Sequence, residues 1–290
     1  MTAIEVTNLK KRFGKVKAVD GISFTVNKGE VFGFLGPNGA GKTTAIRCMM
    51  DFLRPTEGEI KMLGLDSRRN SVELKEKTGY LAGTVRLYDK WTGEEHFDFV
   101  RKIDGDGDIA KDLASRLVFN PKKKTKELSS GNKQKLAVIL AFMRKPELFI
   151  LDEPTLALDP LLQNEVYEML REAVSRGATV FMSSHNMAEV ERVCDRVGII
   201  KAGKMVATER IDTLKEKQIY RVVVRFTKKP DQKTFTNEQV KVIKETSDGF
   251  VLEVTGDINL IINKLQQNPV HDMTIEHATL DEIFRQYYQQ

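Results

Sequence analysis

Apolar and polar positions along the chain change texture several times, and each change marks a different kind of element. Ile4 to Phe13 and Lys17 to Val26 carry strand-like patterning and predict an antiparallel edge. Glu30 to Leu35, with the apolar run Val31-Phe32-Gly33-Phe34-Leu35, predicts a buried strand, and Ala45 to Met50 a helix. A second cycle begins near Glu147. It predicts strands at Leu148 to Leu151, Ala178 to Met182 and Arg196 to Ile200, with helices at Leu161 to Ser175 and Met187 to Cys194. Strand and helix in alternation argue for a mainly parallel sheet with helices on both faces. Between the cycles, over about residues 88–145, the strand signal disappears. Glu94 to Ile103, Asp108 to Phe119 and Ser130 to Met143 carry the 3.6-residue period of a helical insertion.

The texture changes again after Asp212 to Lys217, which reads as a helical linker. Tyr220 to Phe226 and Phe250 to Val254 suit strands, while Asp257 to Gln267 and Thr279 to Tyr288 suit helices. The expected architecture is therefore an α/β domain over residues 1–212 and a small α+β domain over residues 213–290.

Composition narrows the class. Hydrophobic and charged fractions of 41% and 30% in 290 residues are those of a globular protein. The longest apolar run, Leu136 to Met143, is far shorter than the ~20 residues a membrane span requires. The N-terminus shows no basic region followed by an apolar stretch, so no secretory leader is expected. Cys48 and Cys194 lie far apart in helical patterns and predict buried, reduced thiols in a cytosolic protein. The net charge of +5 is mild for the length. Its densest cluster, Lys122, Lys123, Lys124 and Lys126, lacks interleaved aromatics, so no nucleic-acid partner is expected.

The candidate chemistry is concentrated after the first buried strand. Gly36-Pro37-Asn38-Gly39-Ala40-Gly41-Lys42-Thr43-Thr44 follows that strand and opens the helix at Ala45, the context of a G-x-x-x-x-G-K-[ST] phosphate loop. Glycines let the backbone curl so that several N–H groups face phosphate oxygens, and the helix N-terminus adds positive potential. Lys42 can reach β- and γ-phosphates, and the Thr43 hydroxyl can ligate Mg²⁺. Downstream, the apolar strand Leu148 to Leu151 ends in Asp152-Glu153. Carboxylates at the C-terminal end of a parallel strand emerge beside such a loop. Asp152 can then hold Mg²⁺, and Glu153 can poise an attacking water. An ATP-binding, Mg²⁺-dependent site follows from the two motifs together.

Leu128-Ser129-Ser130-Gly131-Asn132 resembles the LSGGQ signature of ATP-binding cassette (ABC) proteins. Phosphate loop, signature, acidic strand, Ala157-Leu158-Asp159 and Ser183-Ser184-His185 occur in the order of a cassette ATPase, over residues 1 to about 212. The resemblance implies a P-loop NTPase core and ATP hydrolysis. It implies that Ser129 and Gly131 grip the γ-phosphate bound to a second subunit, that His185 contacts the γ-phosphate, that Phe13 stacks on adenine, and that Asp159 senses the partner subunit. Ser129 also suits an ordinary N-cap. His96, His271 and His277 match no motif, and packing or surface roles are expected for them.

Two departures from the family pattern stand out. The position usually held by glutamine after Gly79-Tyr80-Leu81 is Gly83, so water or Thr84 would have to serve the metal there. Ser130 and Asn132 replace a glycine and a glutamine of the signature. Lys42, Thr43, Asp152, Glu153 and His185 are all present, and hydrolysis is expected. The resemblance further implies a subunit that pairs with a second copy of itself and powers integral-membrane permease subunits from the inner face of the cell membrane. The ending Thr279-Leu280-Asp281-Glu282-Ile283-Phe284 resembles the tail of subunits serving exporters of drugs, lipids or polysaccharides. A soluble cassette ATPase acting on ribosomes or DNA, and a regulatory ATP-binding protein of low activity, are the alternatives.

Overall fold

Strand β1 (Thr2–Phe13) turns back into β2 (Val16–Asn27), and the two pair antiparallel from Thr2↔Asn27 to Phe13↔Val16. Their alternation buries Ile4, Val6, Leu9, Ile22, Phe24 and Val26. Strand β3 (Val31–Leu35), buried along its whole length, leads into α1 (Lys42–Met49). Then come β4 (Glu57–Met62), β5 (Leu65–Asp66), α2 (Ser71–Glu76) and β6 (Thr78–Leu81). Helices α3 (Gly93–Asp104), α4 (Ala110–Arg116) and α5 (Ser130–Phe142) follow, with a short 3₁₀ turn at Thr125–Glu127. The second α/β cycle is β7 (Leu148–Asp152), α6 (Pro160–Ser175), β8 (Thr179–Ser184), α7 (Met187–Val193), β9 (Arg196–Lys201) and β10 (Lys204–Arg210). The computed structural model describes residues 1–104, 109–216 and 219–277.

The expected strands at the N-terminus form a sheet of their own, in the order β2-β1-β4-β5. The second sheet has the order β10-β9-β3-β8-β7-β6, and β9, β3, β8, β7 and β6 run parallel. Phe24 of the first sheet stacks on Phe32 and Phe181 of the second, with ring centroids 5.7 Å apart in each pair. Buried aromatic surface of this kind dominates core energetics, at about 2–3 kcal/mol for each fully buried ring. Helix α1 adds Ala45, Ile46 and Met49 to the same core, which fixes the loop before it against two sheets. Cys48 and Cys194 are buried free thiols; burial pushes Cys48 up to about 11.

The chain divides into two compact units, Met1–Glu209 and Arg210–Gln290, just ahead of α8 (Ile211–Glu216). In the second unit, β11 (Ile219–Phe226), β12 (Val240–Glu245), β13 (Gly249–Thr255), α9 (Asn259–Leu265) and β14 (Val270–His277) follow in order. The sheet order is β12-β13-β11-β14. Val222, Val224, Phe250, Leu252 and Val254 of the sheet share a core with Ile261 and Leu265 of α9. The helix expected at Thr279 to Tyr288 lies outside the described residues.

Candidate functional site

The phosphate-loop residues form one side of a cavity of about 380 Å³ at the C-terminal ends of β3, β7 and β8. Pro37, Asn38, Gly39, Gly41, Lys42, Thr43 and Thr44 line that side, and Gly83, Thr84, Asp152, Glu153 and His185 face them. Gly41 has φ +109, and a Cβ on it would lie 2.4 Å from the Ala18 carbonyl oxygen, so only glycine fits. The Gly41 carbonyl accepts the Ala45 N–H at 2.9 Å and starts α1. The first N–H groups of this eight-residue helix have no acceptor within it, so the loop end carries positive potential.

Lys42 is 6% exposed. Its Nζ donates to the Gly36 carbonyl at 2.7 Å and lies 3.3 Å from Glu153 Oε1. The other Glu153 oxygen, Oε2, is 2.8 Å from His185 Nδ1. The cavity thus brings Lys42, Glu153 and His185 into one chain of contacts. Glu153 adopts φ +54, a left-handed backbone that costs a non-glycine residue of order 1 kcal/mol or more. Its N–H donates to Ser183 Oγ at 3.1 Å, and Gln134 Nε2 donates to the carbonyls of Glu153 and Pro154 at 3.3 and 2.9 Å. These bonds, one to β8 and two from α5, hold the strained turn.

Asp152 is 1% exposed. Its Oδ1 accepts the Ser183 hydroxyl at 2.5 Å, whereas its Oδ2 is buried with no hydrogen-bond partner. A bare buried carboxylate oxygen is costly unless a cation or donor reaches it. Oδ2 therefore fits a metal ion, and Thr43 lines the same cavity. Among the described residues no group of three or more His, Cys, Asp or Glu side chains gathers to form a metal cage. Mg²⁺ does not need one, since it keeps waters and takes ligands from phosphates and one carboxylate.

Other predicted residues lie apart from this cavity. Ala40 is buried behind the loop, and Phe13 ends β1, 47% exposed, with Lys11 Nζ 5.1 Å from its ring centroid. Ser129 caps α5 by accepting the Asn132 N–H at 3.3 Å. A Cβ on Gly131 would lie 2.8 Å from the Ala157 carbonyl, so the α5 entry packs closely on the segment leading to Asp159. Asp159 caps α6, accepting from Leu161 and Leu162 at 3.1 Å, with Pro160 in the first turn. His96 has a packing role: Nε2 accepts the Tyr88 N–H at 3.1 Å, and Nδ1 lies 2.7 Å from the Thr92 carbonyl.

Sequence reasoning did not single out Ser183 or Gln134 as partners of the acidic pair. The signal for Ser183 was its place at the end of a strand directly before His185. Gln134 lies nineteen residues from Glu153, and only the fold brings them together.

The profile of the ABC transporter family matches residues 19–156. The Bacitracin transport ATP-binding protein BcrA of Bacillus licheniformis is 37% identical over 287 residues, covering 96% of this chain and 90% of that protein. The chain belongs to the ABC transporter family. ABC proteins similar to it include the Probable multidrug ABC transporter ATP-binding protein YbhF of Escherichia coli (strain K12), 38% identical over 221 residues. That match covers 74% of this chain, and the chain spans 38% of YbhF's length. A solved ATP binding subunit of an ABC transporter superposes with a TM-score of 0.68 at 28% identity, over 74% of this chain and 92% of that one. The chain is therefore an ABC-type ATPase, a member of a family that hydrolyses ATP. Among the described residues, no helix of this ABC protein is long and apolar enough to cross a membrane.

Proposed function

We propose that the chain is the ATP-hydrolysing subunit of an ABC exporter and acts with separate integral-membrane permease subunits at the inner face of the membrane. Two relatives with multidrug and bacitracin transport in their names support export. The observation that carries the catalytic reading is Glu153, with one oxygen facing Lys42 and the other facing His185 beside the phosphate loop.

In this reading the loop N–H groups and Lys42 hold the β- and γ-phosphates, with Phe13 stacked on adenine. Thr43 and Asp152 Oδ2 would hold Mg²⁺, which supplies charge neutralisation at the phosphates when bound. Glu153 orients the attacking water and accepts its proton, and His185 meets the γ-phosphate oxygens. Positioning and charge complementarity carry most of such a reaction.

Ser129 and Gly131 lie at the N-terminus of the thirteen-residue helix α5, outside the cavity lining. They suit a nucleotide held by a second copy, with Asp159 at the junction. Two chains then enclose ATP between them, and closure followed by hydrolytic reopening drives the permease.

Turnover and ATP-dependent self-association of the full chain, measured beside Glu153→Gln, test this reading. Glu153→Gln is expected to lose at least about 100-fold in turnover. It is also expected to accumulate as an ATP-bound dimer. Turnover near wild type in that variant removes Glu153 from the mechanism.

A further inference from the structure

The nucleotide cavity rests on a second, fully internal acidic group. Glu189, in the first turn of α7, is 4% exposed and lines no part of the cavity. Each of its oxygens receives one hydroxyl. Thr155 Oγ1 donates to Oε1 at 2.6 Å, and Ser184 Oγ donates to Oε2 at 2.6 Å. Thr155 lies two residues after Glu153, and Ser184 directly precedes His185. One carboxylate therefore ties together the two chain segments that end in the paired side chains Glu153 and His185.

The direction of the Ser184 bond is fixed from outside. Ser184 Oγ accepts the Asn186 N–H at 2.9 Å, which leaves its proton for Glu189. Thr155 also shares a side-chain hydrogen bond with Tyr167 of α6, whose hydroxyl is pushed up to about 12, chiefly by burial. Each of the two hydroxyls donates to one oxygen of the same carboxylate. Only a carboxylate accepts from both sides; a glutamine of the same shape offers one acceptor oxygen and a pair of donors.

Both hydrogen bonds to Glu189 come from neutral hydroxyls, and burial pushes its carboxyl upward. The two hydroxyls oppose that shift, the nearby Glu153 reinforces it, and His185 opposes it. A buried carboxylate held only by hydroxyls is an expensive way to fill space. The fold retains the charge where it braces two catalytic segments.

We propose that Glu189 is a positioning residue for ATP hydrolysis, holding the Glu153 turn and the His185 segment in register through Thr155 and Ser184. The inference rests on the roles given to Glu153 and His185 above. Their geometry depends on a turn with Glu153 at φ +54 and Ala157 at φ +61, which would otherwise relax. A misplacement of about 1 Å at such a centre costs up to about 100-fold in rate.

The test compares steady-state kcat and KM for ATP in the full chain, with its transporter partners if turnover requires them. The variants are Glu189→Gln, Thr155→Val, their combination, and Glu153→Gln as the control. Glu189→Gln is expected to lower kcat about tenfold or more with KM nearly unchanged. Its thermal midpoint should stay well above the assay temperature, so that the loss in kcat is not a loss of folded protein. Thr155→Val should lose kcat in the same way, and the double variant should lose little beyond the larger single loss. Glu189→Gln with wild-type kcat, a loss explained by a lower thermal midpoint, or additive losses in the double variant overturns the proposal. Normal turnover in Glu189→Gln beside an inactive Glu153→Gln overturns this proposal alone. Normal turnover in Glu153→Gln removes the catalytic reading beneath it as well.

Discussion

Gly83 stands where a side chain would collide with the unpartnered oxygen of Asp152. A Cβ built on it would lie 2.6 Å from Asp152 Oδ2 and 2.9 Å from its Cγ. Asp152 cannot swing aside freely, because Ser183 holds Oδ1 at 2.5 Å and the side chain is buried. The glutamine common at this position in the family therefore does not fit the observed backbone. Gly83→Gln is expected to lower turnover several-fold and raise the Mg²⁺ concentration needed for half-maximal rate, as read from turnover against Mg²⁺. Higher turnover at unchanged Mg²⁺ demand would show that the loop yields instead. At this scale the phosphate loop and the acidic pair were legible, since both are contiguous in sequence. Glu189 and Gln134 were not, because Thr155 and Glu153 lie thirty-four and nineteen residues from them and only packing brings them together.

Helices α4 and α6 are joined by a single arginine. Arg116 Nε lies 2.6 Å from Glu165, and its two terminal nitrogens lie 2.7 and 2.8 Å from the two oxygens of Glu172. The guanidinium holds the Glu172 carboxyl below its ordinary range, chiefly through those hydrogen bonds. The fork geometry is favourable, yet the pair is partly open to solvent, so its worth is about 1 kcal/mol at most. Arg116→Ala should reduce unfolding free energy by about that amount at low salt, with a smaller deficit in high salt, as measured by denaturant titration. An equal loss at both salt concentrations would mean that the arginine acts through packing alone. Among elements, the alternating strands and helices around the site followed from apolar runs. Strands β12 and β14 did not: β12 carries Lys241 and Lys244, and β14 is exposed at all but one position. Edge strands of this kind owe their pairing to a neighbour more than to their own patterning.

Each of the two units contains its own buried cluster, around Phe32, Phe34 and Phe181 in one and around Phe226, Phe235 and Phe250 in the other. The sequence changes texture near Asp212, and the compact units divide after Glu209, while the sheet of the second unit was visible only in part in the sequence. In the first unit, the cavity takes residues from the phosphate loop, Asp152, Glu153 and His185, while Ser129, Gly131 and Asp159 lie outside its lining. If those two sets belong to one site only when copies meet, a defective chain does more than fail by itself. In a mixed dimer the healthy chain keeps a complete site, but the ATP that its partner cannot hydrolyse holds the pair closed. With equal amounts of wild-type and Glu153→Gln chains pairing at random, only about a quarter of the dimers are wholly wild type. Turnover of such mixtures should fall well below the half expected for independent copies, and in a cell the lesion should behave as dominant over the intact gene.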